Sequence, residues 1–468
     1  MSVPVFAVVG HPNKGKSSLV ATLARDPSVG IGTEPGTTIQ TRRFPMRVAG
    51  ETLYTLVDTP GFQRARSALE WMRQNETDAA SRPSVVERFV RLYSGEERFR
   101  DECELLQPIV NGAGIIYVVD GAAPYGPEYD AEMEILRWAG RPSMAVINPI
   151  GNPRFVDSWE NALGQFFKVV RVLDVMMAPF TQQLEVLKAF GQLRDDWRQP
   201  LNQAVDALIE DRNRQSDDAA SVIAELIAAA LSCQEIKDLP KEADARKHTA
   251  VLEEKYRGRL RQMERRARRE VESIYGHIDV ERREAEMEML ETDLLSKESW
   301  LAFGLKKRDL VTVGAVGGAL VGGVADAALL GTSFLAGTVL GGVVGGALGY
   351  FSSDRLADIR ILKQPLGGRR LRCGPTRNLQ FPFVLLNRSR LHQALVAGRT
   401  HAQRGILDVD TINQAAHDLV EPLDDATKRE LARQFDRIRR TQAGSERRIR
   451  VLDQLTGTLA RLLDESLL

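Results

Sequence analysis

A chain of 468 residues is longer than one hydrophobic core usually spans, so two or three structural units are expected. Lys and Arg total 63, as do Asp and Glu, and the resulting formal net charge of zero excludes a chain-wide basic surface for nucleic acid. Cys103, Cys233 and Cys373 lie far apart in no metal-ligand or redox spacing, which argues against a disulfide framework and a zinc site. Because the chain starts without a leader-like apolar segment, a cytoplasmic location is expected.

Residues 1–178 alternate short β-rich segments with helical segments, which is typical of an α/β fold with a mostly parallel sheet. The β-rich segments are apolar over nearly their whole length, as strands are when helices cover both faces of their sheet. The predicted strands are VFAVV at 5–9, ETLYTLV at 51–57, GIIYVVD at 114–120, SMAVIN at 143–148 and KVVRVL at 168–173.

The segment from Gly10 to Ser17, between the first strand and the helix that follows, matches the phosphate-loop pattern G-x-x-x-x-G-K-[ST]. Glycine allows the backbone N–H groups of such a loop to point at phosphate oxygens. Lys16 is predicted to contact the β- and γ-phosphates, and Ser17 to provide a hydroxyl to Mg²⁺. The predicted nucleotide-binding residues are Gly10, Asn13, Lys14, Gly15, Lys16, Ser17, Ser18 and Asn148.

Two further motifs complete the predicted site. Thr38, in the segment EPGTT at 34–38, can ligate Mg²⁺ only when a γ-phosphate orders the segment, which would make it a switch. In the motif DTPG, Asp58 is expected to hold Mg²⁺ through water, and the backbone N–H of Gly61 to contact the γ-phosphate. The predicted catalytic residues are Lys16, Thr38 and Gly61, and the predicted metal-site residues are Ser17, Thr38 and Asp58.

The three segments GHPNKGKSSL, EPGTTIQTRR and DTPGF resemble those of the Era/TrmE/EngA-like bacterial GTPases, which belong to the translation-factor-related class. The resemblance implies binding of GTP and GDP with Mg²⁺, slow GTP hydrolysis, and assistance by K⁺ at Asn13. It also implies that no side chain orients the attacking water from the position after DTPG, because Phe62 stands there. Hydrolysis would then depend on K⁺, dimerisation or a partner.

Two segments depart from that family pattern. The guanine-recognition motif N-K-x-D is replaced by NPIG at 148–151, which keeps only Asn148. Loss of the aspartate removes a bidentate contact to guanine, about 1–3 kcal/mol, so guanine specificity is weakened but not excluded. Asp174 is a candidate substitute for the missing S-A-K motif. Residues 62–110 form a helical insertion after the second switch motif, which either senses the γ-phosphate and contacts a partner or is a passive elaboration.

The rest of the chain is predicted to be mainly helical. Residues 179–310 include a highly charged stretch that fits either a long coiled-coil stalk or a bundle, with Gly258 and Gly276 as candidate break points. Residues 351–468 contain further amphipathic helices. This half resembles the uncharacterised domain often fused C-terminal to bacterial GTPases of this kind.

Residues 311–350 carry no charge except Asp326, and their glycines recur at small-xxx-small spacing. Their length fits two membrane passes in a glycine-zipper hairpin, and basic flanks would keep both of its ends cytoplasmic. The alternative is an apolar hairpin buried in a soluble domain or an oligomer, because Asp326 is costly in mid-bilayer. Association with the inner face of the cell membrane is the favoured interpretation.

Three functions stay open from the sequence. The first is a GTP-hydrolysing, membrane-associated switch, favoured by the phosphate loop and the apolar hairpin. The second is a ribosome- or RNA-associated GTPase, which the family resemblance suggests. A nucleic-acid partner is nevertheless disfavoured, because the sequence has no KH signature and no aromatic–basic motif. The third is a nucleotide-binding scaffold that forms homo-oligomers and hydrolyses little GTP.

Overall fold

The computed structural model divides the chain into two compact units, one of residues 1–212 with 398–404 and one of residues 213–397 with 405–468. The predictions for Thr38 and for the apolar hairpin at 311–350 fall outside the residues that the structure describes. The described residues are 3–26, 28–29, 41–240, 244–276, 351–352, 360–361, 364–365, 369–376, 378–399 and 423–465.

Six strands form a sheet at the centre of the first unit. They are β1 (Val5–Val9), β2 (Arg42–Val48), β3 (Glu51–Asp58), β4 (Gly114–Asp120), β5 (Ser143–Asn148) and β6 (Val170–Val172). Their order in the sheet is β2-β3-β1-β4-β5-β6. All neighbouring pairs are parallel except β2 with β3, which are antiparallel. The predicted α/β fold with a mostly parallel sheet is therefore confirmed.

In the described part of this unit, eight α-helices follow or connect these strands. They are α1 (Lys16–Ala24), α2 (Ala65–Gln74), α3 (Arg82–Tyr93), α4 (Arg100–Val110), α5 (Glu128–Trp138), α6 (Val156–Leu163), α7 (Phe180–Gly191) and α8 (Asp195–Ser232). Alternate side chains of β4 enter two apolar layers, with Tyr117 in one and Val118 in the other. The layer with Tyr117 is covered by α2 to α6, and the layer with Val118 by α1, α7 and the first turns of α8.

Strand β2 is not among the strands that the sequence predicts. Phe44, Met46 and Val48 point into the apolar layer, whereas the residues between them include a proline and an arginine. Proline is tolerated in β2 because this strand lies at the edge of the sheet. The helical pattern predicted for residues 62–110 is confirmed by α2, α3 and α4.

Helices around one apolar core make up most of the second unit. They are the later turns of α8, together with α9 (Ala245–Ile274), α10 (Phe381–Gly398), α11 (Asp425–Arg440) and α12 (Glu446–Glu465). The strands are β7 (Glu235–Leu239), β8 (Phe351–Ser352), β9 (Arg360–Ile361), β10 (Gln364–Pro365) and β11 (Arg369–Cys373). An antiparallel sheet joins β7, β11 and β8, and sequence reasoning missed it.

Helix α9 corresponds to part of the predicted stalk. It continues through Gly258 and ends shortly before Gly276, which has a φ of +75°. Its 30 residues correspond to about 45 Å, roughly half the length expected for an unbroken stalk. Leu252, Tyr256 and Leu260 are buried in the core of the unit, so α9 packs as a bundle helix. Among the described residues, none of the helices combines the length and the apolar character needed to cross a membrane.

Candidate nucleotide-binding site

The predicted phosphate loop joins β1 to α1 in a conformation that requires glycine at two positions. Gly10 has a φ of +141° and Gly15 a φ of +88°, values that other residues rarely adopt. A Cβ on Gly10 would lie 2.4 Å from the carbonyl oxygen of Val118, and one on Gly15 would lie 2.3 Å from Nδ2 of Asn148. A larger residue at either position would therefore force the loop away from its neighbours.

Lys16 begins α1 and is almost completely buried, with 7% of its surface exposed. Its Nζ donates a hydrogen bond to the carbonyl oxygen of His11 at 2.9 Å. Burial lowers the pKa of Lys16 from 10.5 to about 8, and the carboxylates of Asp58 and Glu132 only partly oppose this shift. A bound phosphate would stabilise the charged ammonium, because a nearby anion favours the protonated form of lysine.

Ser17 and Asp58 come together because β1 and β3 are adjacent parallel strands whose carboxyl ends meet at one edge of the sheet. The Ser17 hydroxyl donates to Oδ2 of Asp58 at 2.9 Å. The next residue, Thr59, donates its hydroxyl to the carbonyl oxygen of Val8 at 2.7 Å and so anchors the start of DTPG to β1. A hydroxyl and a carboxylate in contact are the hard oxygen ligands that Mg²⁺ prefers.

Gly61 packs directly against the phosphate loop. A Cβ at this position would lie 2.5 Å from the backbone nitrogen of Pro12. The following residue, Phe62, donates its backbone N–H to the carbonyl oxygen of Gly10 at 3.3 Å. The Phe62 ring is buried in the apolar layer under the sheet, so it does not face the phosphate loop.

Asn148 ends β5 and is buried beside the phosphate loop. Its Nδ2 donates to the carbonyl oxygen of Lys14 at 3.4 Å, and its Oδ1 accepts from the backbone nitrogen of Val175 at 3.3 Å. The Asn148 side chain thus connects the phosphate loop to the loop after β6. The hydroxyl of Thr22, on α1, donates to the carbonyl oxygen of Val175 at 2.8 Å and supports the same junction.

Lys14 and Asp174 make contacts within the protein. Lys14 Nζ donates to Oδ2 of Asp120, at the end of β4, over 3.3 Å. Oδ1 of Asp174 accepts from the backbone nitrogens of Met176 at 3.0 Å and Met177 at 3.2 Å. Asp174 therefore shapes its own loop, as aspartate does in an Asx turn.

The remaining predicted site residues are placed by the backbone. Asn13 lies at the tip of the phosphate loop with a φ of +59°, in the left-handed region that asparagine tolerates better than most residues. Ser18 lies in the first turn of α1. Thr38 is outside the described residues, so its role stays a prediction.

A buried acid that sequence reasoning missed lies under the loop. Glu132, on α5, is 2% exposed. It accepts from the Tyr117 hydroxyl at 2.9 Å, and its other oxygen lies 2.8 Å from Nδ1 of His11. The His11 ring meets the Tyr129 ring edge-on at 5.5 Å. The sequence signal was weak, being one glutamate on the apolar face of a helix.

Helix α4 contacts the chain after DTPGF and the chain after EPGTT, and sequence reasoning missed both contacts. Oε1 of the buried Glu102 accepts from the backbone nitrogens of Gln63 at 2.9 Å and Arg64 at 2.5 Å, directly after DTPGF. Three residues after EPGTT, the Thr41 hydroxyl donates to the carbonyl oxygen of Glu104 at 3.0 Å. The Thr41 backbone nitrogen donates to the Glu104 carboxylate at 3.4 Å.

Comparison with protein families identifies both halves of the chain. The family described as "Domain of unknown function (DUF3482)" matches residues 160–458, which is more than half of the chain. The chain belongs to the DUF3482 family. In this DUF3482 protein, residues 5–148 match the family described as "50S ribosome-binding GTPase" and form a P-loop GTPase domain. The phosphate loop, DTPG and Asn148 all lie within that match.

Relatives of the DUF3482 protein match it in part. GTPase Der of Paraburkholderia phymatum is 28% identical over 166 residues, which are 34% of this chain and 31% of the relative. GTPase Der of Vibrio cholerae serotype O1 is 24% identical over 205 residues, 41% of this chain and 35% of the relative. The chain thus spans about a third of the length of these curated relatives.

Among solved structures, a variant of Aquifex aeolicus Era bound to GDP.AlF4- aligns at 16% identity with a TM-score of 0.29. Era in complex with MgGDPNP and a segment of 16S ribosomal RNA aligns with the same identity and TM-score. Each alignment covers 59% of this chain and 90% of the other chain.

We predict that affinity for GDP declines as pH rises above about 8. Lys16 has a pKa of about 8 in the free protein, so above that pH its amine is mostly neutral. Binding of phosphate then requires the amine to take up a proton. Each further pH unit then costs up to about tenfold in affinity, until the pH reaches the higher pKa of the complex. Fluorescence titration with N-methylanthraniloyl-GDP across this pH range measures the decline.

The matched control is Lys16→Arg, whose guanidinium stays charged throughout this range. The variant should show a flat profile over the same pH values. An equal decline in Lys16→Arg would show that another group titrates.

Proposed function

We propose that this protein binds GTP and GDP at the loop from Gly10 to Ser17 and hydrolyses GTP slowly, as a molecular switch. The observation that carries the proposal is the convergence of three features on one loop. They are the buried Lys16 ammonium, the hydrogen bond from Ser17 to Asp58, and the packing of Gly61 on Pro12. In P-loop NTPases these positions serve the β- and γ-phosphates, the metal ion and the γ-phosphate respectively.

The oxygen donors of the site fit Mg²⁺. Ser17 would hold it through the hydroxyl and Asp58 through the carboxylate, with Thr38 added from the first switch segment. Mg²⁺ at this position would neutralise charge on the phosphates. The Ser17–Asp58 hydrogen bond holds these two candidate metal-binding side chains together in the absence of the metal ion.

Hydrolysis would rely on the backbone, because Phe62 is buried and the residue after DTPG offers no polar side chain. Gly61 packs on the phosphate loop, and its N–H would contact a γ-phosphate bound there. Water positioning would then need K⁺ at Asn13, a second copy of the chain, or a partner. We accordingly propose a low intrinsic rate.

The base that we propose for this site is guanine. The Asn148 side chain contacts the phosphate loop and the backbone of Val175. NPIG at 148–151 contains no carboxylate after Asn148. No side chain there can therefore accept two hydrogen bonds from the guanine edge. The relatives named GTPase Der support guanine as the base.

Helix α4 would report the nucleotide state to the rest of the domain. Glu102 accepts from two backbone N–H groups after DTPGF, and Glu104 accepts from Thr41, three residues after EPGTT. A γ-phosphate that moves the chain after DTPGF would therefore stretch or break hydrogen bonds to α4. The insertion between DTPG and β4 would then act as the sensor of the switch.

Lys16→Ala should abolish binding of GTP and GDP alike, because it removes the one cation buried in the phosphate loop. Lys14→Ala is the matched control, since Lys14 pairs with Asp120 and should lose less than about tenfold in affinity. Competition of GTP and ATP for the wild-type site measures base preference in the same titration. Normal GDP affinity in Lys16→Ala would refute the assignment of the loop.

Glu102→Gln should lower the single-turnover rate of GTP hydrolysis by about tenfold while GDP affinity changes little, because hydrogen bonds to a charged acceptor contribute about 1.5–3 kcal/mol. Glu97→Gln, an exposed substitution in the turn before α4, is the control and should leave both values unchanged. Equal rates of GTP hydrolysis in Glu102→Gln and the wild type would show that α4 has no part in the switch.

Two partners are proposed with equal weight. A membrane is favoured by the apolar segment at 311–350, which has Asp326 as its only charge. The ribosome is favoured by the matched family description, "50S ribosome-binding GTPase".

Fractionation of a cell lysate separates these partners. A membrane-associated switch pellets with membranes and loses this property when residues 311–350 are deleted. A ribosome-associated switch sediments with 50S subunits and is released by added salt. A protein found in neither fraction, in either nucleotide state, would favour the oligomeric scaffold.

A further inference from the structure

A cleft of about 910 Å³ lies between α11 and α12 in the second unit. Its volume falls in the range of small-molecule sites, about 300–1,000 Å³. The residues that matter for its chemistry are Arg429, Arg433, Gln434 and Arg437 on α11 and Gly457 and Arg461 on α12.

The walls of the cleft are strongly cationic. Arg429, Arg433 and Arg437 are spaced four residues apart, so they follow one face of α11 at intervals of about 6 Å. Arg461 adds a fourth guanidinium from the facing helix, and it lies 3.7 Å from Glu430, the one acid in the lining. Within the described part of the chain, the Arg433 and Arg437 side chains have no hydrogen-bond or ion-pair partner. Guanidinium groups in such a row suit phosphate oxygens.

The floor of the cleft contains an amide whose orientation is determined by its neighbours. Nε2 of Gln434 donates to the Thr458 hydroxyl at 2.9 Å and to the Glu430 carboxylate at 3.2 Å. The same nitrogen lies 3.5 Å from the backbone carbonyl oxygen of Gln454. Because a carboxylate and a carbonyl can only accept, the nitrogen must face them.

The other end of that amide is an acceptor with no partner among the described residues. Gln434 is 5% exposed, and its Oε1 is buried without a hydrogen bond. A buried acceptor of this kind is costly to leave unpaired, so a ligand with a hydroxyl or N–H donor would be favoured. Gly457 borders open space in the cleft, because a Cβ there would meet nothing within 4 Å.

We propose that this cleft binds a small ligand that carries at least two phosphate groups and a hydroxyl. The arginines on the two helices bind the phosphates, and Oε1 of Gln434 accepts from the hydroxyl. A small ligand fits better than a polymer, because the acceptor lies buried between the helices and a backbone lying on the rim would not reach it. This site is separate from the phosphate loop, and its existence does not depend on GTP hydrolysis.

The test is calorimetric titration of the full-length protein with saturating GDP and Mg²⁺. The probes are fructose 1,6-bisphosphate, which has phosphates and hydroxyls, and inorganic pyrophosphate, which has phosphates alone. Arg433→Ala and Arg437→Ala should each lower the affinity for both probes by about tenfold or more. Gln434→Leu should weaken fructose 1,6-bisphosphate several-fold and leave pyrophosphate unchanged.

The matched control is Arg440→Ala, which removes an arginine of the same helix that pairs with Asp436 at 3.0 Å and does not line the cleft. It should bind both probes as the wild type does, and thermal melting checks that every variant is folded. Raising the GDP concentration a further tenfold should also leave both affinities unchanged.

Four results would overturn the proposal. One is that neither probe binds at millimolar concentration, and another is that Arg440→Ala weakens binding as much as Arg433→Ala does. A third is that added GDP displaces the probes, which would assign probe binding to the phosphate loop. The fourth is arginine-dependent binding of single-stranded RNA or anionic vesicles without binding of either small probe. Because GDP affinity is measured independently, failure here leaves the nucleotide site intact.

Discussion

The burial of the Lys16 ammonium is the constraint on which the rest of the candidate site depends. Removing a lysine charge from water is unfavourable, and here the carboxylates of Asp58 and Glu132 only partly offset the cost. The loop therefore holds a cation that an anion would stabilise. Gly10 and Gly15 have positive φ values and pack closely on Val118 and Asn148, so the loop conformation depends on glycine at both positions.

The candidate site and helix α4 of the segment at 62–110 are joined by backbone hydrogen bonds. Gly61 lies on the phosphate loop, and the two residues after Phe62 donate to Glu102 on α4. Movement of DTPG toward a γ-phosphate would therefore change the hydrogen bonds to Glu102 on α4 directly, without a long-range pathway. On this interpretation the insertion is part of the switch and not an elaboration of the surface.

Local sequence signals predicted the phosphate loop, the apolar strands and the helices of the insertion, because each depends on residues close together in the chain. The missed features depend on distant partners. Glu132 meets a residue 121 positions away, and Glu104 meets Thr41 across 63 positions. The sheet that pairs Glu235 with Cys373 has no local signal either. Strand β2 was missed because it is an edge strand whose outward face is charged.

Hydrogen–deuterium exchange on the full-length protein, compared between the free, GDP-bound and GTP-analogue-bound states, measures nucleotide binding and switching together. Binding at the phosphate loop predicts protection of residues 10–17 by both nucleotides. It also predicts a change in exchange at the backbone N–H groups of Gln63 and Arg64, and along α4, only with the GTP analogue. Unchanged exchange at residues 10–17 would contradict nucleotide binding at this loop, and identical exchange along α4 in both nucleotide states would contradict the switch.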